Sequence, residues 1–159
     1  MQVQAPFEPA IVARDMKRML KFYRDVLGMR LFSLDEISAD TARRAGLSAT
    51  GYTIARLETS GADRLKIVVP EHAPPAPEET PYVMERSGFV YLTFIVPDVR
   101  AVIARIRAAD GRVRTGEEPV DFRPGVVQLA FAEDPEGNYL EFVQRNDLST
   151  YRPKREGAA

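Results

Sequence analysis

Residues 15–28 have the sequence DMKRMLKFYRDVLG, and residues 98–111 have the sequence DVRAVIARIRAADG. Each segment opens with an aspartate, a favourable helix N-cap residue, and closes with a glycine, a common helix terminator. Apolar side chains recur between them at the spacing of an amphipathic helix, and a short β-like stretch precedes each aspartate. The copies are offset by 83 residues (15 to 98), so the sequence predicts two copies of one small unit.

A second match fixes the far end of the repeat. The segment Leu65–Val68 matches Leu140–Val143 at an offset of 75 residues (66 to 141). The smaller offset predicts an additional segment of about eight residues in the first copy, which we assign to the polar stretch 35–46. Ser38 or Asp40 is expected to cap a short helical turn there.

Each copy is predicted to be a βαβββ unit. The predicted strands are residues 7–13, 29–33, 52–58 and 64–69 in the first copy, and 89–96, 112–114, 126–132 and 139–144 in the second. Residues 117–124 are predicted to be a loop. The predicted organisation is a first unit (7–69), a proline-rich linker (70–87), a second unit (88–144) and a polar C-terminal tail (145–159).

Composition excludes several classes of function. The chain has 159 residues, a formal net charge of −1 and no cysteine. The charge balance argues against binding to nucleic acid or to an anionic membrane, and thiolate metal sites and cysteine nucleophiles are excluded. No apolar run is long enough to span a bilayer, and the first residues do not resemble a signal peptide. We therefore expect a soluble cytoplasmic protein.

The repeat resembles the vicinal oxygen chelate superfamily of glyoxalase I, the bleomycin-resistance proteins and the extradiol dioxygenases. The resemblance rests on two motifs at repeat spacing, FYRDVLG at residues 22–28 and DPEGNYLEF at residues 134–142. It implies an α+β fold in which two tandem βαβββ units have curved mixed sheets that enclose a cavity, with the helices outside.

Enzymes of that superfamily usually hold a divalent metal through the first and last strands of each unit. The corresponding positions in this chain are Glu8, Lys66, Tyr91 and Glu141, of which only Glu141 matches the usual residue. Strand alternation predicts that these four side chains lie on the face away from the helices. Arg56 and Gln128 are further candidates for the same face.

This set of residues is poorly suited to a metal. A lysine is a cation at neutral pH, a tyrosine hydroxyl is a weak ligand, and the imidazoles that Zn²⁺ and Ni²⁺ favour are absent. The only histidine, His72, lies in the proline-rich linker and is expected to be exposed. We predict instead a Glu8–Lys66 ion pair and a hydrogen bond from Tyr91 to Glu141. These contacts are either plain internal salt bridges or the polar lining of a ligand pocket.

Two functional hypotheses follow. The first is a protein that binds a small organic molecule without a metal, as bleomycin-resistance-like proteins do, through Glu8, Lys66, Tyr91, Glu141, Arg56 and Gln128. The second is a metal-dependent lyase or dioxygenase of the glyoxalase I or extradiol dioxygenase type, with Glu141 as metal ligand or general base. A homodimer is expected in either case, since such units present exposed sheet edges.

Overall fold

The structure is a computed structural model that describes residues 6–76, 78, 80–85 and 87–151. It divides into two compact units: residues 1–79 with 135–137, and residues 80–134 with 138–159. Pro77 of the predicted linker and the basic residues 152–155 of the predicted tail lie outside the described residues. Within the described part of the chain, no helix combines the length and apolarity that a membrane crossing requires.

The first unit contains one four-stranded mixed sheet. Its elements are β1 (Ala10–Val12), α1 (Met16–Leu20), a π-helical segment (Lys21–Val26), β2 (Arg30–Ile37), α2 (Ala39–Arg44), β3 (Tyr52–Glu58) and β4 (Arg64–Pro70). The strand order is β1-β4-β3-β2. β1 runs parallel to β4, whereas the β4–β3 and β3–β2 pairs are antiparallel.

The second unit repeats this arrangement. Its elements are a 3-10 turn (Val83–Glu85), β5 (Tyr91–Ile95), α3 (Val99–Ala108), β6 (Val120–Arg123), β7 (Val127–Glu133), β8 (Tyr139–Arg145) and α4 (Leu148–Tyr151). The strand order β5-β8-β7-β6 corresponds to that of the first sheet, again with one parallel pair. Both sheets are open, and the predicted α+β class with two βαβββ units is confirmed.

Strand register confirms the repeat residue by residue. In the first sheet Ala10 lies opposite Lys66, and in the second Thr93 lies opposite Glu141. These two pairs have the offsets of 83 and 75 residues that the sequence predicts. The offset of 75 also holds one strand further in, where Arg56 is the neighbour of Lys66 and Phe131 is the neighbour of Glu141.

Both helices begin as predicted. The Asp15 carboxylate accepts a hydrogen bond from the Arg18 amide, and the Asp98 carboxylate accepts one from the Ala101 amide, both at 3.0 Å. Each cap satisfies one of the amide donors that the first helical turn leaves without a partner.

The first helix departs from the prediction in its second half. Residues Lys21–Val26 form a π-helix, and the Leu27 amide donates to the Phe22 carbonyl at 3.0 Å. Phe22 and Tyr23 are both buried here, with their rings edge to face at 5.3 Å. The wider turn therefore lets two adjacent aromatic side chains pack inward. Gly28 ends the segment with a φ of +79°, as the glycine predicts.

The positions predicted for one strand and one loop after α3 were wrong. The expected loop 117–124 contains β6, whereas the expected strand 112–114 makes a single bridge between Val113 and Ala132. The reason is a tight hairpin: Gly125, at φ +70°, lets Arg123 pair directly with Val127. A glycine that can adopt a left-handed conformation in a short connection is typical of a hairpin. The polar composition of residues 117–124 led to the prediction of a loop instead.

The polar insertion also has more structure than expected. β2 continues to Ile37, beyond the predicted strand, and α2 follows with Ser38 as its N-cap. Of the two caps that the sequence allows, Ser38 is the one used, since its hydroxyl accepts from the Thr41 amide. The predicted tail begins with the short helix α4.

Each sheet buries one face against its helix. In the first unit, α1 contacts β4, and the buried strand residues are Ala55, Leu57, Leu65 and Ile67. In the second, α3 contacts β7 and β8, and the buried residues are Ala130, Ala132, Leu140 and Phe142. Full burial of a leucine or phenylalanine stabilises the fold by about 1.5–3 kcal/mol. Alternation then directs the intervening side chains to the opposite face of each sheet.

Candidate functional site

The predicted site residues lie in two groups, one in each unit. Glu8, Lys66 and Arg56 belong to the first unit, and Tyr91 and Glu141 to the second. Arg56, Lys66 and Glu141 lie on the sheet face opposite the helix of their unit, because their strand neighbours on either side are the buried residues described above. Glu8 precedes β1 and is brought to the same face by its contact with Lys66. Tyr91 pairs with Tyr139, which lies two residues before Glu141 and therefore on the same face. Each group has its own chemistry.

The Glu8–Lys66 ion pair that the sequence predicts is confirmed. Lys66 Nζ lies 2.9 Å from Glu8 Oε2, and the two side chains are only 29% and 26% exposed. The backbone brings them together, since the Lys66 amide donates to the Pro9 carbonyl at 2.9 Å and extends the parallel pairing beyond β1. A half-buried pair of this kind is screened less by solvent than an exposed one.

Arg64 enlarges this pair into a network. Its Nε donates to Glu58 at 2.9 Å, and its Nη1 lies 3.6 Å from Glu8. Arg30 binds the other oxygen of Glu58 at 2.5 Å. Arg64, Arg30 and Glu58 were not among the predicted site residues. Alternation from Lys66 was the available signal, because Arg64 lies two residues earlier on the same strand.

Arg56 completes the network on the β2 side. Its Nη1 donates to Asp35 at 2.6 Å and to the Ser33 hydroxyl at 3.2 Å. We call this set the basic cluster; it comprises Arg30, Arg56, Arg64 and Lys66 with the carboxylates of Glu8, Asp35 and Glu58. Four cations face three carboxylates, so the cluster carries a formal charge of +1.

Phe32 adds an aromatic ring to the basic cluster. The Arg64 guanidinium lies 3.7 Å from the centroid of this ring and the Arg30 guanidinium 5.5 Å from it, both in cation–π geometry. The strand pairing shifts between Leu31 and Ser33, so this β-bulge leaves Phe32 without a partner residue in β3, and Phe32 and Ser33 both contact arginines of the basic cluster. Alternation from Arg30 puts Phe32 on the same face, but Phe32 was not among the predicted site residues.

The cations of the cluster hold two carboxylates in the ionised form. The hydrogen bond from Lys66, supported by the charges of Lys66, Arg64 and Arg56, lowers the pKa of Glu8 against a smaller opposing effect of desolvation. Hydrogen bonds from Arg30 and Arg64 lower the pKa of Glu58. Both carboxylates are therefore anionic at neutral pH and neutralise part of the surrounding positive charge.

An apolar area adjoins the basic cluster on the same face. Val12 and Val68 follow Ala10 and Lys66 by two residues, and Ile54 precedes Arg56 by two; the three are paired across β1, β4 and β3, with Ile54 buried beneath the face. Val12 is 55% exposed although it lies on a strand. The face therefore combines charged donors at one end with aliphatic side chains at the other, a composition typical of sites for small organic molecules.

The second unit has a different set of groups at the equivalent positions. Glu141 Oε2 accepts a hydrogen bond from the Thr93 hydroxyl at 2.7 Å. The expected donor was Tyr91, whose ring instead packs edge to face on Phe131 at 5.3 Å. Thr93 could have been predicted as the donor to Glu141, because it lies directly opposite Glu141 in the parallel strand pair.

The assignment of Gln128 to the helix-free face was wrong. Its side-chain oxygen accepts a hydrogen bond from Arg100 of α3 at 2.9 Å, so it points to the helix side of the second sheet. Gln128 lies between Val127 and Leu129 in β7, and alternation puts it on the same face as Ala130 and Ala132. His72 is exposed in the segment after β4, as expected.

The residues of the first unit do not fit the divalent metal that the superfamily resemblance implies. The Lys66 ammonium group has no lone pair to donate and repels a cation, and Glu8 and Glu58 are each already bound to two basic side chains. Across the residues that the structure describes, no three acidic or histidine side chains form a group able to hold a metal ion.

Comparisons with known proteins agree with the fold. The chain is 29% identical over 143 residues to a lactoylglutathione lyase of Haemophilus influenzae, covering 86% of this chain and 89% of that protein. A glyoxalase family protein of Bacillus cereus superimposes with a TM-score of 0.76 at 15% identity, covering 91% and 96% of the two chains. The trypanothione-dependent glyoxalase I of Leishmania major gives 0.66 at 18% identity, covering 94% and 92%.

A family model provides the classification. It is described as the Glyoxalase/Bleomycin resistance protein/Dioxygenase superfamily and matches residues 7–142, which include both βαβββ units. The match agrees with the resemblance drawn from the two sequence motifs. This chain belongs to the Glyoxalase/Bleomycin resistance protein/Dioxygenase superfamily.

Proposed function

We propose that this protein binds a small organic molecule and does so without a divalent metal at the first-unit position. The observation that carries the proposal is the 2.9 Å contact between Lys66 Nζ and Glu8 Oε2. A fixed ammonium group there takes the role of the positive charge that a metal ion supplies in other members. It would attract a polar or anionic group of a ligand directly.

The surroundings of Lys66 support binding rather than a purely structural role. A buried salt bridge contributes little net stability, whereas hydrophobic residues of similar size would often stabilise a sheet equally well. The basic cluster carries a net positive charge and adjoins the exposed side chain of Val12 and the partly exposed side chain of Val68. Both features are typical of a surface that recognises an amphipathic ligand.

The proposal is tested by a ligand screen on metal-stripped protein. Small acids, thioesters and aromatic compounds are added in the presence of EDTA, thermal shifts are recorded, and positive compounds are titrated by calorimetry. We expect at least one ligand whose affinity persists in EDTA and falls about tenfold in Lys66→Met. Arg100→Met, which removes an exposed cation from the helix side of the second unit, is the control. A ligand that binds only after metal is restored would contradict the proposal.

A second candidate is a metal-dependent lyase or dioxygenase of the glyoxalase I or extradiol dioxygenase type. Two observations favour it: Glu141 keeps the family's usual residue, with Thr93 as its hydrogen-bond donor, and a relative bears the name lactoylglutathione lyase. The assay is the formation of lactoylglutathione with and without added Zn²⁺ or Ni²⁺. Metal-stimulated turnover that Glu141→Gln abolishes would establish this candidate and overturn the metal-free proposal.

We also propose that the protein is a cytoplasmic homodimer that binds neither nucleic acid nor membranes. Exposed apolar side chains lie on the edge strands, namely Phe32 and Leu34 on β2 and Val120 and Phe122 on β6. Such edges favour pairing with a second copy. Light scattering during size-exclusion chromatography would give twice the chain mass. A monomeric mass at micromolar concentration would contradict the dimer.

A further inference from the structure

Two cations lie directly opposite each other on the helix-free face of the first sheet. Lys66 of β4 and Arg56 of β3 are cross-strand partners in the antiparallel pair. Their side chains are 29% and 30% exposed, so water screens their mutual repulsion only in part. Like charges at directly opposite positions destabilise a sheet, and an arrangement of this kind requires a compensating anion.

Carboxylates on the outer sides of β4 and β3 neutralise part of the positive charge of these two cations. Lys66 is bound to Glu8 on the β1 side, and Arg56 is bound to Asp35 on the β2 side. Within the described part of the chain, no carboxylate is ion-paired with both. The space between the two cations is thus flanked by positive charge on both sides, and the whole cluster retains a formal charge of +1.

The chemistry of the two cations selects a carboxylate. The planar guanidinium of Arg56 presents paired donors whose geometry matches the two oxygens of a carboxylate, and the Lys66 ammonium adds a third donor. Val68, two residues further along β4, and its partner Val12 on β1 offer an aliphatic surface beside this position.

We propose that Lys66 and Arg56 together bind the carboxylate of an organic acid whose apolar part lies over Val12 and Val68. This inference rests on the proposed small-molecule-binding function and names the chemical class of the ligand. It does not involve a metal. The Glu8 and Asp35 carboxylates keep the two cations in position, one from each side, and leave the donors between them for the ligand.

The experiment is an NMR titration of the full chain at constant ionic strength. The probes are benzoate, its neutral analogue benzamide, and inorganic phosphate. Benzoate is expected to shift the side-chain resonances of Lys66 and Arg56 and the methyl resonances of Val12 and Val68. Benzamide should bind about tenfold more weakly, because it cannot form the charge-assisted hydrogen bonds. This comparison uses the unaltered protein, so it does not depend on whether a variant folds.

Three variants locate the carboxylate. Lys66→Met and Arg56→Met should each weaken benzoate binding about tenfold, while Arg100→Met should leave it unchanged. The spectrum of each variant without probe shows whether its fold is retained. Equal binding of benzoate and benzamide, or unchanged binding in a folded Arg56→Met variant, would overturn the inference. So would a response to phosphate but not to benzoate.

The outcome separates this inference from the function on which it rests. A ligand found in the metal-free thermal-shift screen whose affinity is unaffected by Arg56→Met would sustain small-molecule binding and overturn the carboxylate position. If benzoate, benzamide and phosphate all leave the resonances unchanged, the carboxylate position is overturned as well. The screen then tests the proposed function independently.

Discussion

Lys66 and Glu141 occupy equivalent positions in the two units, and they carry opposite charges. Lys66 lies opposite Ala10 in the parallel pair of the first sheet, and Glu141 lies opposite Thr93 in the parallel pair of the second. The first position forms an ion pair with Glu8, and the second accepts a hydrogen bond from Thr93. The two copies of one structural repeat therefore have different chemistry at equivalent positions, which the family resemblance assigns to metal ligands.

The ion pair at Lys66 makes stability depend on pH in the acid range. The pKa of Glu8 is lowered from its ordinary value of 4.5, chiefly by the hydrogen bond from Lys66. A carboxyl group with a lowered pKa in the folded state stabilises the fold above its unfolded-state pKa, and this contribution is lost as the pH falls through the folded-state pKa. The melting temperature should therefore fall on acidification below about pH 4.5.

Glu8→Gln tests this dependence. Melting temperatures measured from neutral pH to about pH 3 should be lower for the variant at neutral pH and should fall less steeply on acidification. Glu117→Gln, an exposed position, provides the matched change of charge and should follow the unaltered protein. A Glu8→Gln curve parallel to that of the unaltered protein would show that the pair contributes nothing to folding.

The cap of α3 contributes to the stability of the second unit. The Asp98 carboxylate accepts a hydrogen bond from the Ala101 amide at 3.0 Å. Asp98→Ala should lower the free energy of unfolding by about 1 kcal/mol in urea denaturation, whereas Asp98→Asn, which keeps the acceptor oxygen, should change it much less. Equal stability of the alanine and asparagine variants would argue against capping.

Gly111 is required for a close approach between chain segments rather than for a left-handed conformation. A Cβ atom at this position would lie 2.6 Å from Ile106 Cγ2 and 2.9 Å from the Ile106 carbonyl oxygen. Gly111→Ala should destabilise the protein by about 1–3 kcal/mol, because the carbonyl belongs to the last turn of α3 and cannot move freely. The left-handed residue after this helix is Asp110, with a φ of +55°.

Gly116→Ala is the control for this substitution. No atom lies within 4 Å of a Cβ built at Gly116, so its replacement should change the free energy of unfolding by less than about 0.5 kcal/mol. Urea denaturation of both variants under identical conditions makes the comparison. If Gly111→Ala and Gly116→Ala lower the free energy of unfolding equally, the contact with Ile106 does not require a glycine at position 111.

The architecture was predictable because the sequence contains two copies of the same βαβββ unit. The aspartate caps Asp15 and Asp98 recur at an offset of 83 residues and the matched segments around Lys66 and Glu141 at an offset of 75, and the register of both sheets shows the same two offsets. The strand β6 was missed because its hairpin depends on a single left-handed glycine, Gly125. The polar composition of residues 117–124 predicted a loop, whereas Val120–Arg123 pairs with β7.

The candidate site was predictable only in part. Alternation correctly gave the faces of Lys66, Arg56 and Glu141, because their neighbours are strongly apolar. Gln128 was assigned to the helix-free face without this test, and alternation from Ala130 and Ala132 puts it on the helix side, where it accepts a hydrogen bond from Arg100 of α3. The contacts of Phe32 with Arg30 and Arg64 were not predicted, because contacts between side chains of different strands are not encoded in the periodicity of one strand.

The metal content of the purified protein tests the central claim most directly. The protein is dialysed against micromolar Zn²⁺, Ni²⁺ or Mn²⁺, separated from free metal and analysed by mass spectrometry for metal per chain. Because the Lys66 ammonium group is ion-paired with Glu8 at a position that the resemblance assigns to a metal ligand, we predict less than stoichiometric binding, with no change in Glu8→Gln. One tightly held ion per chain that is lost in Glu8→Gln would contradict the account.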